Sequence, residues 1–281
     1  MSDRRPGMKP VEPSLTPDEG WHCSHLYYRL RRDVVSQMSQ AQREEAHRQV
    51  VECLNPERED APQRLQTSIV SGHKADFGLM LMDPDPLRVD ATHQKLLQSE
   101  LGPALESTYS FVSITEISEY VPSVEQYGQR LVQEGEVEGS EAYQAKVSAY
   151  ERREPMMRKQ RLTPDFPAWP ATCFYPMNKK RKVGENWFTL PFEERSRMMS
   201  EHAKSGMAYA GKVSQLISVG VGLDDWEWGV TLWAANPQFL THIVYEMRFD
   251  EASARYAEFG PFYTSYIATP EQMLQHCLPA G

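Results

Sequence analysis

Residues 173 to 215 gather the side chains of this sequence that could do chemistry together. Cys173-Phe174-Tyr175-Pro176-Met177-Asn178-Lys179 reads as an extended segment. A strand alternates its side chains between two faces, so Cys173, Tyr175, Met177 and Lys179 share one side. A phenol there can donate a hydrogen bond or a hydrogen atom. An ammonium on the same side can hold a carboxylate by a charge-assisted hydrogen bond, with Arg161 as a second cation, or the group can be a surface cluster at a strand end. His202 follows on a helix face shared with Met198, Met199, Ser205, Gly206 and Tyr209. That inward face makes it either a metal ligand or a core histidine. Gly206 costs about 1 kcal/mol in a helix interior relative to alanine, so it marks either close packing or room for a flat ligand. Gln215 falls in the alternation Val213-Gln215-Ile217-Val219, where a lone amide must bond backbone or face a ligand. A phenol, a cation, an imidazole and an amide around one apolar space suit a redox cofactor that carries carboxylates.

The chain that must position these groups has 281 residues, enough for one large domain or two smaller ones. Hydrophobic content of 40% with 25% charged residues describes a soluble globular protein. A net charge of -9 argues against nucleic-acid binding, and the basic run Lys179-Lys180-Arg181-Lys182 is local. No apolar run approaches the roughly 20 residues of a membrane span, and Met1 to Pro13 lacks an apolar signal core, so the expected location is the cytoplasm. Cys23, Cys53, Cys173 and Cys277 form no CxxC pair and read as reduced thiols. GxGxxG, phosphate-loop and HExxH patterns are absent.

Periodicity places strands at Trp21–Arg31, Leu65–Val70, Asp76–Met82 and Tyr109–Tyr120, with helices at Ser39–Leu54 and from Pro86 or Asp90 to Leu101. The order is β-α-β-β-α-β. The second half repeats it: strands Ala171–Met177, Lys212–Val219, Trp226–Ala234 and Gly260–Ile267, and helices Pro191–Tyr209 and from Asn236-Pro237 to about Phe249. Gly220, Gly222, Asp224 and Asp225 supply a turn, and Trp226, Trp228 and Trp233 supply core area. Between the halves, a segment rich in Glu, Gln, Ser and Arg reads as a connection whose second half is a surface helix. The expected division is a disordered tail at 1–17, a first unit at 18–123, a connection at 124–164 and a cofactor-binding unit at 165–281. The fold class is α+β, an internal duplication of ferredoxin-like type.

Longer motifs carry a resemblance. CFYPMNKKR, ENWFTLPFEERSRMMSEH, YAGKVSQLISVGVGLDDWEWGVTLWA, IVYEMRFDEASARYAEFGPF, SFVSITEISEY and GWHCSHLYYRL together resemble the coproheme decarboxylases, the haem-biosynthesis branch of the chlorite dismutase family. The resemblance implies two ferredoxin-like repeats forming a β-barrel with helices outside, and a homopentamer. It implies iron coproporphyrin III (coproheme) as both cofactor and substrate, haem b as product and hydrogen peroxide as oxidant. Carried over by residue, His202 matches the iron ligand, Tyr175 the radical-forming tyrosine and Lys179 the lysine near the second reactive propionate. Arg161, Met177, Arg248 and Ser253 match positions that line the pocket or bind propionates. Gln215 matches the distal glutamine of the decarboxylases, where the chlorite-degrading relatives carry arginine. Met207 and Glu119 depart from the basic residue and the asparagine of several relatives. A transient contact with the coproporphyrin ferrochelatase is a further implied partner. The alternatives are a chlorite dismutase, a non-catalytic haem-binding protein and a haem-free interaction module.

Overall fold

Local signals set the element boundaries. Ser39, Ser123 and Thr269 each accept a first-turn N–H while the glutamine three residues on reaches back, so three helices begin with closed capping boxes. Asp85 and Asn236 cap helices that carry proline in the first turn. In the computed structural model, which describes residues 12–278, the chain runs β1 (His22–Leu30), α1 (Arg32–Val35), α2 (Gln40–Cys53), β2 (Arg64–Val70), β3 (Phe77–Asp83), α3 (Pro86–Gln98), β4 (Leu105–Thr115), α4 (Val124–Gln133), α5 (Glu141–Leu162) and β5 (Ala171–Lys179). A hairpin of β6 (Arg181–Lys182) and β7 (Glu185–Asn186) leads to α6 (Phe192–Met207), β8 (Val213–Val219), β9 (Trp228–Ala234), α7 (Pro237–Met247), α8 (Glu251–Tyr256), β10 (Ala257–Phe259), β11 (Tyr263–Ile267) and α9 (Pro270–Cys277).

The sheet orders its strands β4-β1-β3-β2 in the first half and β11-β5-β9-β8 in the second. Each is the arrangement of one ferredoxin-like unit, and all these pairings are antiparallel. β2 pairs with β11 and β4 with β8, so the two units close one ring of eight strands. The expected α+β duplication is what the chain forms. Inside the ring, Tyr27, Phe111, Phe174 and Tyr263 meet from four strands. Outside it, α2 and α3 cover the first unit, and α6, α7 and α8 lie by the second.

Several boundaries differ from expectation. β4 stops at Thr115, not Tyr120, because its partner β1 runs out at His22, opposite Ile114. β9 starts at Trp228, and Trp226 instead packs beside Pro176 where the absence of a side chain at Gly260 leaves space. The connection holds two helices rather than one, with Tyr127 stacked on Tyr150 at 4.3 Å between them. Beyond β11 the chain adds α9, which periodicity did not place and whose Met273, Leu274 and Cys277 pack into the core of the first unit. The first eleven residues of the expected tail lie outside the described span.

Candidate functional site

β5 delivers the reactive side chains as its alternation requires. Cys173 and Tyr175 are buried on the outer face, with Val230, Leu232, Ile243 and Met247, and Met177 packs against the same cluster. The Tyr175 ring is stacked on Phe262 at 4.5 Å and meets Phe259 edge-on at 5.7 Å. Burial and the nearby Cys173 raise its pKa, while Arg248 pulls the other way, so at neutral pH Tyr175 is a phenol that keeps its O–H. Arg248 follows α7 and places its guanidinium 5.5 Å from the Phe259 ring.

Lys179 ends β5. Its backbone N–H donates to Glu227 Oε2 at 2.8 Å, and Glu227 also accepts from the Arg181 guanidinium. The Glu227 N–H in turn donates to Asn178 Oδ1 at 2.8 Å. These bonds hold the strand end, and the Lys179 side chain turns inward to 9% exposure. Its Nζ lies 4.3 Å over the Trp187 ring and donates weakly to the Ala252 carbonyl at 3.4 Å. Burial lowers its pKa to about 8. Among the described residues this ammonium has no acidic partner, a costly arrangement that an anionic ligand would relieve.

α6 carries His202 on the face expected. His202 Nδ1 lies 2.9 Å from Asp250 Oδ2, and Ser205 Oγ donates to Asp250 Oδ1 at 2.7 Å. Ser253, on α8, sits with Oγ 3.5 Å from the same Nδ1. Nδ1 therefore carries the proton towards Asp250, and Nε2, which makes no hydrogen bond among the described residues, keeps its lone pair. Burial lowers the histidine pKa more than Asp250 raises it, which favours this neutral form. A ring nitrogen left free while the other is held by a carboxylate is how proteins orient histidine towards a metal.

Gln215 departs from the sequence pattern. It lies on the outer face of β8 with Ile217, and both are exposed, whereas Leu216 and Ser218 take the buried face. The Gln215 amide and the Met247 methyl both close on Gly206, where an added Cβ would come within 3.3 and 3.2 Å of them. The glycine thus lets α6 approach β8. Arg161 lies on α5 and lines a cavity of about 210 Å³ with Ile117, Val121 and Met157. Met207 is exposed at the end of α6, and Glu119 pairs with Arg195 at 2.9 Å. The structure thus gathers Tyr175, Met177, Lys179, His202, Arg248 and Ser253 around the outer faces of β5 and α6, and places Arg161 beside Tyr150, on α5.

Comparison with known proteins places the chain in a family. The sequence profile described as Chlorite dismutase matches residues 43–268. The chain belongs to the chlorite dismutase family. A protein of Natronomonas pharaonis, named as a candidate heme-binding protein, is 34% identical over 259 residues, 91% of this chain. A protein of Haloarcula marismortui with the same kind of name is 34% identical over 260 residues. The chain spans 40% and 36% of the lengths of those two relatives. A solved structure described as a novel heme-binding protein from Thermus thermophilus is 32% identical, covers 91% of this chain and 94% of its own, and superposes with a TM-score of 0.72. A mutant chlorite dismutase of Candidatus Nitrospira defluvii shares the fold at 14% identity, covering 94% of this chain and 98% of its own, with a TM-score of 0.69.

Sequence reasoning missed two residues that position His202 and Lys179. Asp250 orients His202 from 48 positions away, and Glu227 fixes the Lys179 backbone from a similar separation. Both look like ordinary surface acids in sequence, and both are buried. The one available signal was spacing: Asp250 falls three residues before Ser253 in a segment already singled out. Among the described residues no group of three or more His, Cys, Asp or Glu could hold a metal ion by itself, and no helix is long and apolar enough to cross a membrane.

Proposed function

We propose that this chain binds iron coproporphyrin III and, with hydrogen peroxide, converts two of its propionates to vinyl groups, giving haem b. The observation that carries the reading is Lys179: a buried ammonium without a carboxylate partner, on the same strand face as a buried phenol. The residues fit an iron porphyrin with acidic side chains. His202 Nε2 is uncommitted and its Nδ1 is held by Asp250. Lys179 and Arg248 are cations without acidic partners among the described residues. The relatives named for heme binding support the same ligand class.

The bound iron porphyrin would supply the oxidising power of peroxide. The protein's own part is positioning and charge. Lys179 and Arg248 hold propionates by charge-assisted hydrogen bonds. Tyr175, still protonated, can lose its O–H hydrogen and then take one from the propionate β-carbon. For each propionate, the acid and one peroxide give a vinyl group, one carbon dioxide and two waters. Gln215 is neutral, so it offers a developing anion a hydrogen bond but no positive charge, which disfavours chlorite chemistry.

Mass spectrometry of the porphyrin during peroxide titration of the loaded protein tests this. Two successive losses of carbon dioxide plus two hydrogens are expected. Bound coproheme that survives peroxide with all four propionates, or fast oxygen release from chlorite, would overturn the reading. Assembly into a ring of five is a companion proposal, checked by light scattering.

A further inference from the structure

Trp187 is 2% exposed and sits among groups that move electrons or charge. The Lys179 ammonium lies 4.3 Å over its ring, the Tyr256 ring is 5.4 Å away, and the Tyr120 ring meets it edge-on at 6.4 Å. Trp187 packs in one cluster with Ala252 and with Met198 and Met199, which precede His202 by one turn on α6. Tyr120 is half-buried and forms the outward end of this chain of rings. Arg195 Nη1 donates to its hydroxyl at 3.1 Å, and the Trp187 side chain also approaches that hydroxyl. Glu119 Oε1 accepts from the same Arg195 Nη1 at 2.9 Å, which brings the carboxylate beside the tyrosine hydroxyl, and together with burial it raises the tyrosine pKa. Glu119 is itself exposed, paired with Arg195. The binding and orientation of the porphyrin described above use neither Tyr120 nor Glu119.

We propose that Trp187 and Tyr120 form a one-electron route between the porphyrin site and the protein surface, with Glu119 as proton acceptor. The proposal rests on the haem reading above. Peroxide takes up two electrons and two protons to become two waters. When no propionate is positioned to supply them, they must come from the protein or the porphyrin is destroyed. Along the route an electron leaves the Trp187 indole for the site, and the Tyr120 phenol replaces it while its proton passes to Glu119. The nearby Lys179 ammonium opposes a positive charge resting on the indole, so the oxidation settles on Tyr120 as a neutral phenoxyl. A one-electron donor in solution, such as ascorbate, restores the phenol, and Glu119 returns the proton. Two ascorbate monoanions, each giving one electron and one proton, balance one peroxide.

The test uses protein loaded with haem b, whose two vinyl groups are already in place. Peroxide is added without ascorbate, samples are frozen for electron paramagnetic resonance, and peptides are mapped by mass spectrometry. A tyrosyl signal that persists in Tyr175→Phe, with oxidised Tyr120 or Trp187 peptides, is expected when Tyr120 is present. Tyr120→Phe keeps the ring; it should retain the haem spectrum, lose that signal, accumulate oxidised Trp187, and no longer be protected from bleaching by ascorbate. The same signal and the same ascorbate protection in both proteins, or wild-type oxidation that avoids both residues, would overturn the route while the haem spectrum stands. Failure of the wild type to give any haem spectrum would overturn the functional reading and the route with it.

Discussion

The two ferredoxin-like units share one strand order, yet they treat their outer faces oppositely. On the first unit, α2, α3 and α9 press Leu26, Tyr28, Leu81, Leu96 and Leu101 into a continuous core. Even its polar pair is closed on itself, with the Tyr28 hydroxyl 2.6 Å from His93 Nδ1. On the second, Ile217 is left 41% exposed and Gln215 is open beside α6. Tyr175 makes no side-chain hydrogen bond among the described residues, and His202 keeps one nitrogen free. The same architecture thus yields a finished face and an unfinished one. Under the proposed function, the unfinished face is where a ligand would replace side chains as the packing partner. The cost is borne locally, as an unpaired buried ammonium and exposed aliphatic area.

The sharpest way to break this comparison is Tyr175→Phe. It keeps the ring and its stack on Phe262, so coproheme should still bind, but conversion to haem b should fall by about three orders of magnitude, equivalent to about 4 kcal/mol. Near-normal conversion at saturating coproheme would remove Tyr175 from the reaction.

Paired truncations compare the faces directly. Leu96→Ala, on the filled face, should cost about 2–5 kcal/mol in denaturant unfolding. Ile217→Ala should change ligand-free stability by less than about 0.5 kcal/mol and instead weaken coproheme binding. Equal stability losses would mean that both faces are packed alike.

Asp250→Asn tests how far the open imidazole is held in place. Loss of the carboxylate should weaken iron-porphyrin affinity by about 10–100-fold and shift the haem spectrum. An unchanged spectrum and affinity would make the His202–Asp250 bond a packing feature.

Lys179 gives a pH signature with two signs. Its folded pKa is about 8, below the ordinary 10.5 of an exposed lysine, so between those values the folded chain binds fewer protons than the unfolded one. Ligand-free stability should therefore rise as pH increases from about 8 towards 10.5. Coproheme affinity should fall as pH passes the same lower value, because the ammonium that holds a carboxylate is lost. Lys179→Met should flatten both curves, and a curve that keeps its slope in the variant would assign the titration elsewhere.

The smallest expected effect lies on the finished face. Tyr28→Phe removes the bond to His93 and should cost about 0.5–1.5 kcal/mol of stability while leaving coproheme binding unchanged.

How much of this was legible in the sequence follows from the range of each interaction. The face shared by Tyr175, Met177 and Lys179, and the inward helix face of His202, are periodic features of single elements, and both stand as read. The duplicated element order was legible for the same reason. Gln215 was read as one side chain in an apolar row, and that row turns out to be the open face, because alternation identifies two faces without saying which is covered. Arg161 reads from the sequence as lying just past the surface helix, which in fact runs on to Leu162, and pattern carries no information on which cavity it lines. Asp250 and Glu227 each act on a partner 48 residues away, so nothing in their own neighbourhood distinguishes them from solvated acids.

The position of α9 bears on the order in which the two units can be completed. Domains made on the ribosome usually fold from the N-terminal end. Here the first unit closes its outer face with Met273, Leu274 and Cys277, and Arg32 donates to the Cys277 carbonyl at 2.6 Å. The earliest-made unit must therefore wait for some of the latest-made residues among those described, while β5 to β9 and α7 need no such wait. A nascent chain halted before residue 270 should expose the α2–β2 surface to protease or chaperone even after the cofactor-side strands have paired. The ligand-ready half would mature ahead of the half that only supports it.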